Sequence, residues 1–223
     1  LLTISPVKNE QGSVTHFIGI QRDVTKAIET EDQLLQANAQ LQALNQALEE
    51  RVAQRTADLE RLATTDSLTG AFNRRYWMRR ADIEIATAKR QHTSLSIVML
   101  DIDHFKKIND VYGHARGDAV LSEIGALLQG RIRKSDTAFR HGGEEFLLVL
   151  PNTTLLDAQS LCETLRQRIA SEPIGGMERE CVKVSIGIAQ FAEQDSSGDA
   201  TIQRADEALY QAKNNGRNRV EIS

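Results

Sequence analysis

Two short acidic stretches hold the side chains best suited to chemistry. His141-Gly142-Gly143-Glu144-Glu145-Phe146 lies between two strand-like runs, so its two glycines predict a β-hairpin turn in which both adopt positive φ. Alone, such a sequence is most often a solvated turn. However, Asp101-Ile102-Asp103 ends another strongly apolar run, Leu95 to Leu100. Carboxylates at two strand ends can bind a hard divalent cation, with the phosphates of a nucleotide completing its oxygen ligands.

These two stretches, with the segment from His104 to Asp110 and Gly113-His114-Ala115-Arg116-Gly117-Asp118, resemble GGDEF domains. Such domains are diguanylate cyclases, which condense two GTP molecules into cyclic di-GMP. The matching motifs occur in order over residues 64–223. The resemblance implies an α+β fold, the ferredoxin-like palm of nucleotidyl cyclases and polymerases. It also implies two Mg²⁺ (or Mn²⁺) ions per GTP half-site and a homodimer, because each domain supplies half an active site.

The resemblance also assigns roles around the metal ions. Asp101 and Glu144 are the implied side-chain ligands, and the Ile102 backbone carbonyl is the third protein oxygen. Glu144 and Glu145 are implied as catalytic residues, and the sequence leaves open which of them takes the proton of the 3′-hydroxyl. Asp103 has two interpretations, a place in this site or a cap on the backbone of the following turn.

Further residues are implied to contact GTP. Guanine presents donors at N1 and N2 and acceptors at O6 and N7, so Asp118 can accept from the donors and Asn109 can serve an acceptor. His114 matches a substrate-contacting position, although a lone histidine is more often a structural hydrogen-bonding residue. Three cations are implied to stabilise or hold the phosphates: Lys106, Lys213 and Arg217. The alternative for the last two is a basic helix end interacting with its own dipole.

Arg133-Lys134-Ser135-Asp136 resembles the Arg-x-x-Asp inhibitory site of the family. There, arginine binds product phosphates or stacks on guanine. Arg133 and Asp136 are therefore expected to bind cyclic di-GMP as an inhibitor. The family often adds a second arginine on the following helix, which aligns here with Thr164, so the completeness of the site stays open.

Residues 1–25 are interpreted as the last strands of a PAS sensor domain, and the chain is expected to be a fragment, because it begins without Met inside a predicted strand. Two alternating runs, Leu1–Val7 and Val14–Val24, flank a turn at Asn9–Gly12. The second run resembles the flavin-binding LOV subgroup, in which the glutamine matching Gln21 hydrogen-bonds the flavin. The alternative is a strand of a generic PAS sensor. Flavin (FMN) and blue-light sensing are therefore expected only of the intact sensor domain.

Residues 26–63 lack Pro and Gly and predict a long helix. One position recurs every seven residues, at Leu34, Leu41, Leu48, Arg55 and Leu62. A complementary position recurs at Asn38, Asn45, Val52 and Leu59. This pattern predicts a parallel coiled coil joining two copies, with asparagines that specify register. A second frame, Ala37, Leu41, Leu44 and Leu48, suggests two registers between which the sensor chooses.

The remaining pattern predicts alternating helices and strands. Asp66 is interpreted as the N-cap of a new helix and Gly70 as a break, where the helical rod joins the catalytic domain; the alternative is a simple capped turn. The predicted helices are 76–90, 116–132, 154–171 and 200–214; beside the hairpin, the predicted strands are 95–101, 181–191 and 219–222.

Composition limits the function classes. The 223 residues, with a net charge of −4 and 40% hydrophobic residues, suit a globular domain plus an extension. Mild acidity and few aromatics argue against nucleic acid, and no run is apolar enough for a membrane span. Cys162 and Cys181 fit no metal-binding spacing and are expected to be reduced in the cytoplasm. A catalytically silent receptor for GTP or cyclic di-GMP is the main alternative to an enzyme, and a cyclase accepting ATP is a third.

Overall fold

The computed structural model describes residues 1–178, 182–192, 195 and 198–223. The chain divides into two compact units, Leu1–Asp58 and Leu59–Ser223. In the first unit, β1 (Leu2–Lys8) pairs antiparallel with β2 (Val14–Gln21). The strand β2 ends at Gln21 rather than Val24, because the backbone N–H of Thr25 donates to the Asp23 side chain at the start of the next helix.

The helix α1 (Thr25–Thr64) extends one residue beyond the predicted range at each end. The heptad leucines are more than half exposed: Leu34, Leu41, Leu48, Leu59 and Leu62. A contiguous apolar stripe of this kind is stabilised by burial against another surface.

The second unit contains a six-stranded mixed sheet in the order β3-β5-β6-β4-β7-β8. Its strands are β3 (Phe72–Asn73), β4 (Leu95–Ile102), β5 (Thr137–Gly142), β6 (Glu145–Pro151), β7 (Val184–Gln190) and β8 (Val220–Ile222). The strand β4 is antiparallel to both β6 and β7, whereas the outer pairs β3–β5 and β7–β8 are parallel.

Helices cover both faces of this sheet, which confirms the predicted α+β layer fold. They are α2 (Arg74–Gln91), α3 (Phe105–Tyr112), α4 (His114–Arg131), α5 (Leu155–Ser171) and α6 (Gly198–Asn214). Every residue of β4 is buried, with Val98 and Leu100 in one core and Ile97 and Met99 in the other. A strand buried on both faces is an unbroken apolar run in the sequence, which is why this strand was predicted within one residue.

Several elements differ from the sequence-based expectations. The short helix α3 was not predicted, because only Phe105 and Ile108 form its buried face. The helix α2 is capped by Asn73, whose side chain accepts from the Tyr76 N–H, and not by Asp66. The strand β7 begins at Val184, and Cys181 lies outside the described residues.

The close approach of α6 to the sheet depends on one glycine. A Cβ atom at Gly187 of β7 would lie 2.1 Å from the Ala205 carbonyl oxygen and 2.2 Å from the Leu209 nitrogen, both in α6. Only a residue without a side chain permits that contact. As a result, the last turn of α6 lies beside the end of β4. In the described part of the chain, no helix is both long and apolar enough to span a bilayer.

Candidate active site

The turn of the β5–β6 hairpin is displaced by one residue from its predicted position. Gly142 pairs with Glu145, so the two central turn residues are Gly143 and Glu144. Gly143 has a φ of 44°, whereas Gly142 is not among the positive-φ glycines, and the expectation for it was wrong. Glu144 therefore lies in the turn itself, and Glu145 begins β6.

Asp101 lies beside this hairpin, near the end of β4. It pairs with Glu145 across the two strands, and its side chain is almost fully buried. Burial raises the pKa of the Asp101 carboxyl to about 6. The Lys213 ammonium, 2.9 Å from Asp101 Oδ2, opposes this shift, and the charges of Glu144 and Glu145 add to it. The predicted residues Asp101, Glu144, Glu145 and Lys213 are thus brought together.

This group suits a hard divalent cation. Its donors are carboxylate oxygens, the ligand type that Mg²⁺ and Mn²⁺ prefer, and the Lys213 ammonium already places positive charge against them. Ile102, whose backbone carbonyl is the third predicted ligand, is buried at the end of β4. Within the described ranges, no set of three or more His, Cys, Asp or Glu side chains is arranged to bind a metal ion. Oxygens from a bound phosphate would therefore have to complete the ligand set.

Asp103 was expected either to join the metal site or to cap the backbone of the turn that follows it. It does cap a backbone N–H, but in a loop more than 100 residues later. Its oxygens accept from the Ser185 hydroxyl at 2.7 Å and from the backbone N–H of Asn218 at 2.9 Å. Because both oxygens are used in this way, Asp103 holds the loop that follows α6.

The predicted base-reading residues meet where α3 packs on α4. The Oδ1 atom of Asn109 is buried, and among the described residues it has no hydrogen-bond partner. A Cβ atom at Gly117 would lie 2.0 Å from it, so the amide of Asn109 fits against the first turns of α4 only because residue 117 is glycine. Asp118 follows directly, and both it and His114 are exposed. An exposed carboxylate beside a side-chain amide can bind a ligand that presents N–H donors next to an acceptor.

The other predicted phosphate-binding cations lie close by. Lys106 is exposed on α3, and Arg217 is exposed in the loop after α6 with a φ of 62°. A cavity of about 590 Å³ extends from this loop along α3, and Lys107, Lys183 and Arg217 contribute positive charge to its walls.

Sequence reasoning missed an arginine that fixes the hairpin turn. Arg140 donates to the Gly143 carbonyl through Nε at 3.0 Å and Nη2 at 2.8 Å. Its Nη1 donates to Asp66 at 3.1 and 3.2 Å, and Asp66 in turn accepts from Thr69. The hairpin is thereby tied to the turn that follows α1. The only sequence signal was a charged residue in an otherwise apolar strand.

A histidine in the same strand was named only as part of the hairpin motif. His141 has a buried Nδ1 atom without a hydrogen-bond partner among the described residues. Burial lowers the pKa of this imidazole, the nearby Arg74 lowers it further, and Asp206 opposes both effects.

The predicted inhibitory residues form a tight turn away from the carboxylates. Asp136 accepts the Arg133 backbone N–H at 2.9 Å and the Ser135 hydroxyl at 3.0 Å, while the Arg133 side chain is exposed. Thr164 donates to the Ser160 carbonyl within α5. Gln21, the predicted flavin contact, is exposed at the end of β2 in the other unit.

Comparison with known proteins identifies the family. The family model described as "Diguanylate cyclase, GGDEF domain" matches residues 63–219. The response regulator PleD of Caulobacter vibrioides is 41% identical over 162 residues, covering 71% of this chain and 36% of that protein. The diguanylate cyclase DgcM of Escherichia coli K12 is 44% identical over 166 residues, covering 73% and 39%. This chain thus spans about two fifths or less of these relatives.

Solved structures agree with this result. The coiled coil and GGDEF domain of DgcB from Caulobacter crescentus, in complex with c-di-GMP, matches with a TM-score of 0.72 at 30% identity, covering 87% of this chain and 99% of that chain. The active GGEEF domain of a diguanylate cyclase from Vibrio cholerae matches with a TM-score of 0.63 at 38% identity, covering 68% and 96%. The second unit has the palm-like α+β fold with carboxylates at adjoining strand ends. The chain belongs to the GGDEF family of diguanylate cyclase domains.

We predict that Asp101→Asn stabilises the fold at neutral and higher pH. The folded-state pKa of Asp101, about 6, exceeds the ordinary value of 3.8. Its contribution to stability is therefore present in acid and lost as pH rises through 6. Asparagine avoids the cost of burying the charge, up to about 3 kcal/mol. Urea unfolding at pH 4.5 and 8 without divalent cations should show the variant's advantage growing with pH. Asp110→Asn, at an exposed carboxylate, controls for charge loss, and an advantage that shrinks with pH contradicts the assignment.

Arg140→Gln should loosen the hairpin turn without unfolding the domain. The variant loses the paired donors to the Gly143 carbonyl and the ion pair to Asp66. Amide hydrogen exchange of residues 142–146, followed by mass spectrometry, should accelerate about tenfold, with strand β4 unchanged. Arg168→Gln, which breaks an exposed ion pair with Glu172, is the matched control. Unchanged exchange in the hairpin would show that Arg140 does not fix it.

Proposed function

We propose that the protein is a diguanylate cyclase that condenses two GTP into cyclic di-GMP and two pyrophosphates. The observation that carries the proposal is the meeting of Asp101, Glu144 and Glu145 at adjoining strand ends, with Lys213 2.9 Å from Asp101. In the comparisons, diguanylate cyclase is the stated activity of DgcM and of other relatives of similar identity.

Asp101, Glu144 and the Ile102 carbonyl would hold two Mg²⁺ or Mn²⁺ ions per half-site. Such ions, when bound, activate the 3′-hydroxyl and stabilise charge on the α-phosphate. The side chain of Glu144 or Glu145 accepts the hydroxyl proton. Burial raises the pKa of Glu145 above its usual range, which favours Glu145, since a base works best with a pKa near the ambient pH.

The remaining residues bind and orient GTP. Asn109 and Asp118 read the guanine edge: the Asn109 amide serves an acceptor of guanine, and the exposed Asp118 carboxylate accepts from its N–H donors. His114 contacts the substrate beside them. The phosphates are held by three cations: Lys106, Lys213 and Arg217. On phosphate binding, Lys213 exchanges part of its interaction with Asp101 for phosphate oxygens.

Catalysis requires two copies of the chain, because each domain supplies one GTP. The exposed leucines of α1 support a parallel coiled-coil homodimer, which holds one half-site near the other at an effective concentration in the ~mM range. A second frame, Ala37, Leu41, Leu44 and Leu48, offers α1 an alternative register, and a PAS-type sensor to which β1 and β2 belong selects between the two registers. The LOV assignment, with Gln21 near FMN, makes blue light the proposed signal.

Product inhibition at Arg133 and Asp136 is part of the proposal. Asp136 orders the turn and leaves the Arg133 guanidinium exposed for a phosphate or a guanine face. We place the enzyme in the cytoplasm, where GTP is supplied.

Gly117→Ala should weaken GTP binding selectively. The added methyl group would overlap the position of Asn109 Oδ1 and displace the amide. Overpacking costs about 1–3 kcal/mol, and moving the Asn109 amide out of place relieves that cost. Affinity for a non-hydrolysable GTP analogue should then fall about fivefold or more. Gly130→Ala in the same helix, where a Cβ meets open space, is the matched control and should retain affinity. Equal affinity of the two variants for the analogue would show that Asn109 takes no part in GTP binding.

The function is tested by GTP turnover with Mg²⁺, resolved chromatographically over a wide range of protein concentration. Cyclic di-GMP formation with specific activity rising with concentration is the expected result. A sample that binds GTP but makes no product at any concentration, even when the catalytic domain is fused to an unrelated parallel coiled coil, is a receptor. Turnover of ATP at a similar rate would contradict the guanine-reading role of Asp118.

A further inference from the structure

The loop that presents Arg217 has an unfavourable backbone. Arg217 and Asn218 are consecutive, neither is a glycine, and their φ angles are 62° and 45°. Left-handed conformations are costly for side-chain-bearing residues and persist where surrounding contacts impose them. Arg217 is also the residue to which the proposed function assigns phosphate binding.

Two side chains hold Asn218 from different elements. Asp103, directly after β4, accepts the Asn218 backbone N–H at 2.9 Å and is itself fixed by the Ser185 hydroxyl at 2.7 Å. Arg166, on α5, donates from Nη1 to Asn218 Oδ1 at 2.9 Å.

The Arg166 guanidinium is itself held in place. Its Nε and Nη2 donate to the two oxygens of Glu163, at 2.9 and 2.5 Å. Only 16% of the Arg166 side chain is exposed. It is therefore a fixed group and not a mobile surface cation.

Neighbouring residues are anchored independently of these contacts. The Arg217 N–H donates to the Ala212 carbonyl at 3.0 Å, and the Ile186 N–H donates to the Arg219 carbonyl at 2.9 Å. Val220 then pairs with Ile186 in the sheet. Loss of the contacts to Asn218 would therefore relax Asn218 and the peptide that links it to Arg217, while the Arg217 N–H, β8 and the core stay in place.

We propose that Asp103, Asn218 and Arg166 are positioning residues that hold Arg217 in the conformation that binds the GTP phosphates. None of the three touches the substrate, and the inference rests on the proposed phosphate role of Arg217. It gives α5, which otherwise only packs on the sheet, a part in substrate affinity.

The test is a double-mutant cycle on the full chain. The dissociation constant of a non-hydrolysable GTP analogue with Mg²⁺ is measured for wild type, Arg166→Ala, Arg217→Ala and the double variant. Arg166→Ala should weaken binding about five- to tenfold, in the range of a typical intramolecular hydrogen bond. It should weaken binding no further when Arg217 is already alanine, because it acts through Arg217. Arg166→Lys should recover part of the loss.

Two further variants control the result. Arg168→Ala removes a neighbouring arginine of α5 whose partner is Glu172, and should leave affinity unchanged. Asn218→Gly tolerates positive φ and keeps the N–H to Asp103 but loses the Arg166 contact, so it should match Arg166→Ala even if that variant folds poorly.

The outcomes separate this inference from the proposed function. If Arg217→Ala leaves affinity unchanged, the phosphate role of Arg217 is wrong. If Arg217→Ala weakens binding while Arg166→Ala and Asn218→Gly do not, the positioning inference is wrong. Losses from Arg166→Ala and Arg217→Ala that add independently would also overturn it, since they would indicate a general structural role for Arg166.

Discussion

The site depends on the buried carboxylate of Asp101, which lies beside the carboxylates of Glu144 and Glu145. Asp101 lies in a strand with no exposed residue, and cross-strand pairing places Glu145 beside it. Desolvation and like-charge repulsion both disfavour the ionised form of such a carboxyl group. A neighbouring cation therefore stabilises that ionised form. Lys213 supplies that charge within the chain, and Gly187 allows α6 to come close enough for it to do so. Burying these carboxylates lowers the stability of the fold, a common cost of a group whose oxygens suit a divalent cation.

Much of the rest of the domain limits the positions that the functional groups can adopt. Arg140 fixes the turn that carries Glu144 and ties it to the Asp66–Gly70 turn after α1. Gly117 leaves room for the amide of Asn109. Of these contacts, the one between Arg140 and Asp66 joins residues 74 positions apart in the chain and links the hairpin to the turn after α1.

The fold was largely predictable where burial dictates local pattern. The strand β4 and the helices α1, α2, α5 and α6 were each predicted to within two residues, because their apolar periodicity or continuity is local. The helix α3 was missed because its eight residues bury only two side chains. The roles of Asp103, Arg140 and Arg166 could not be predicted, since each depends on a partner more than 50 residues away or on the backbone conformation of a loop. The site residues came from motif resemblance, and the structure places Asp101, Glu144, Glu145 and Lys213 in one cluster.

The central claim is that burial and the neighbouring carboxylates disfavour the ionised form of Asp101, so that a bound cation would stabilise it. The most direct measurement is the pH titration of its side-chain carbon by NMR, with Asp101→Asn used to identify the resonance. Without divalent cation or nucleotide, the account predicts a midpoint near about 6, well above the ordinary 3.8. Mg²⁺ with a non-hydrolysable GTP analogue should lower that midpoint, because bound cations favour the ionised form. A midpoint at or below the ordinary value in the free protein, or one that Mg²⁺ and the analogue leave unmoved, would contradict it.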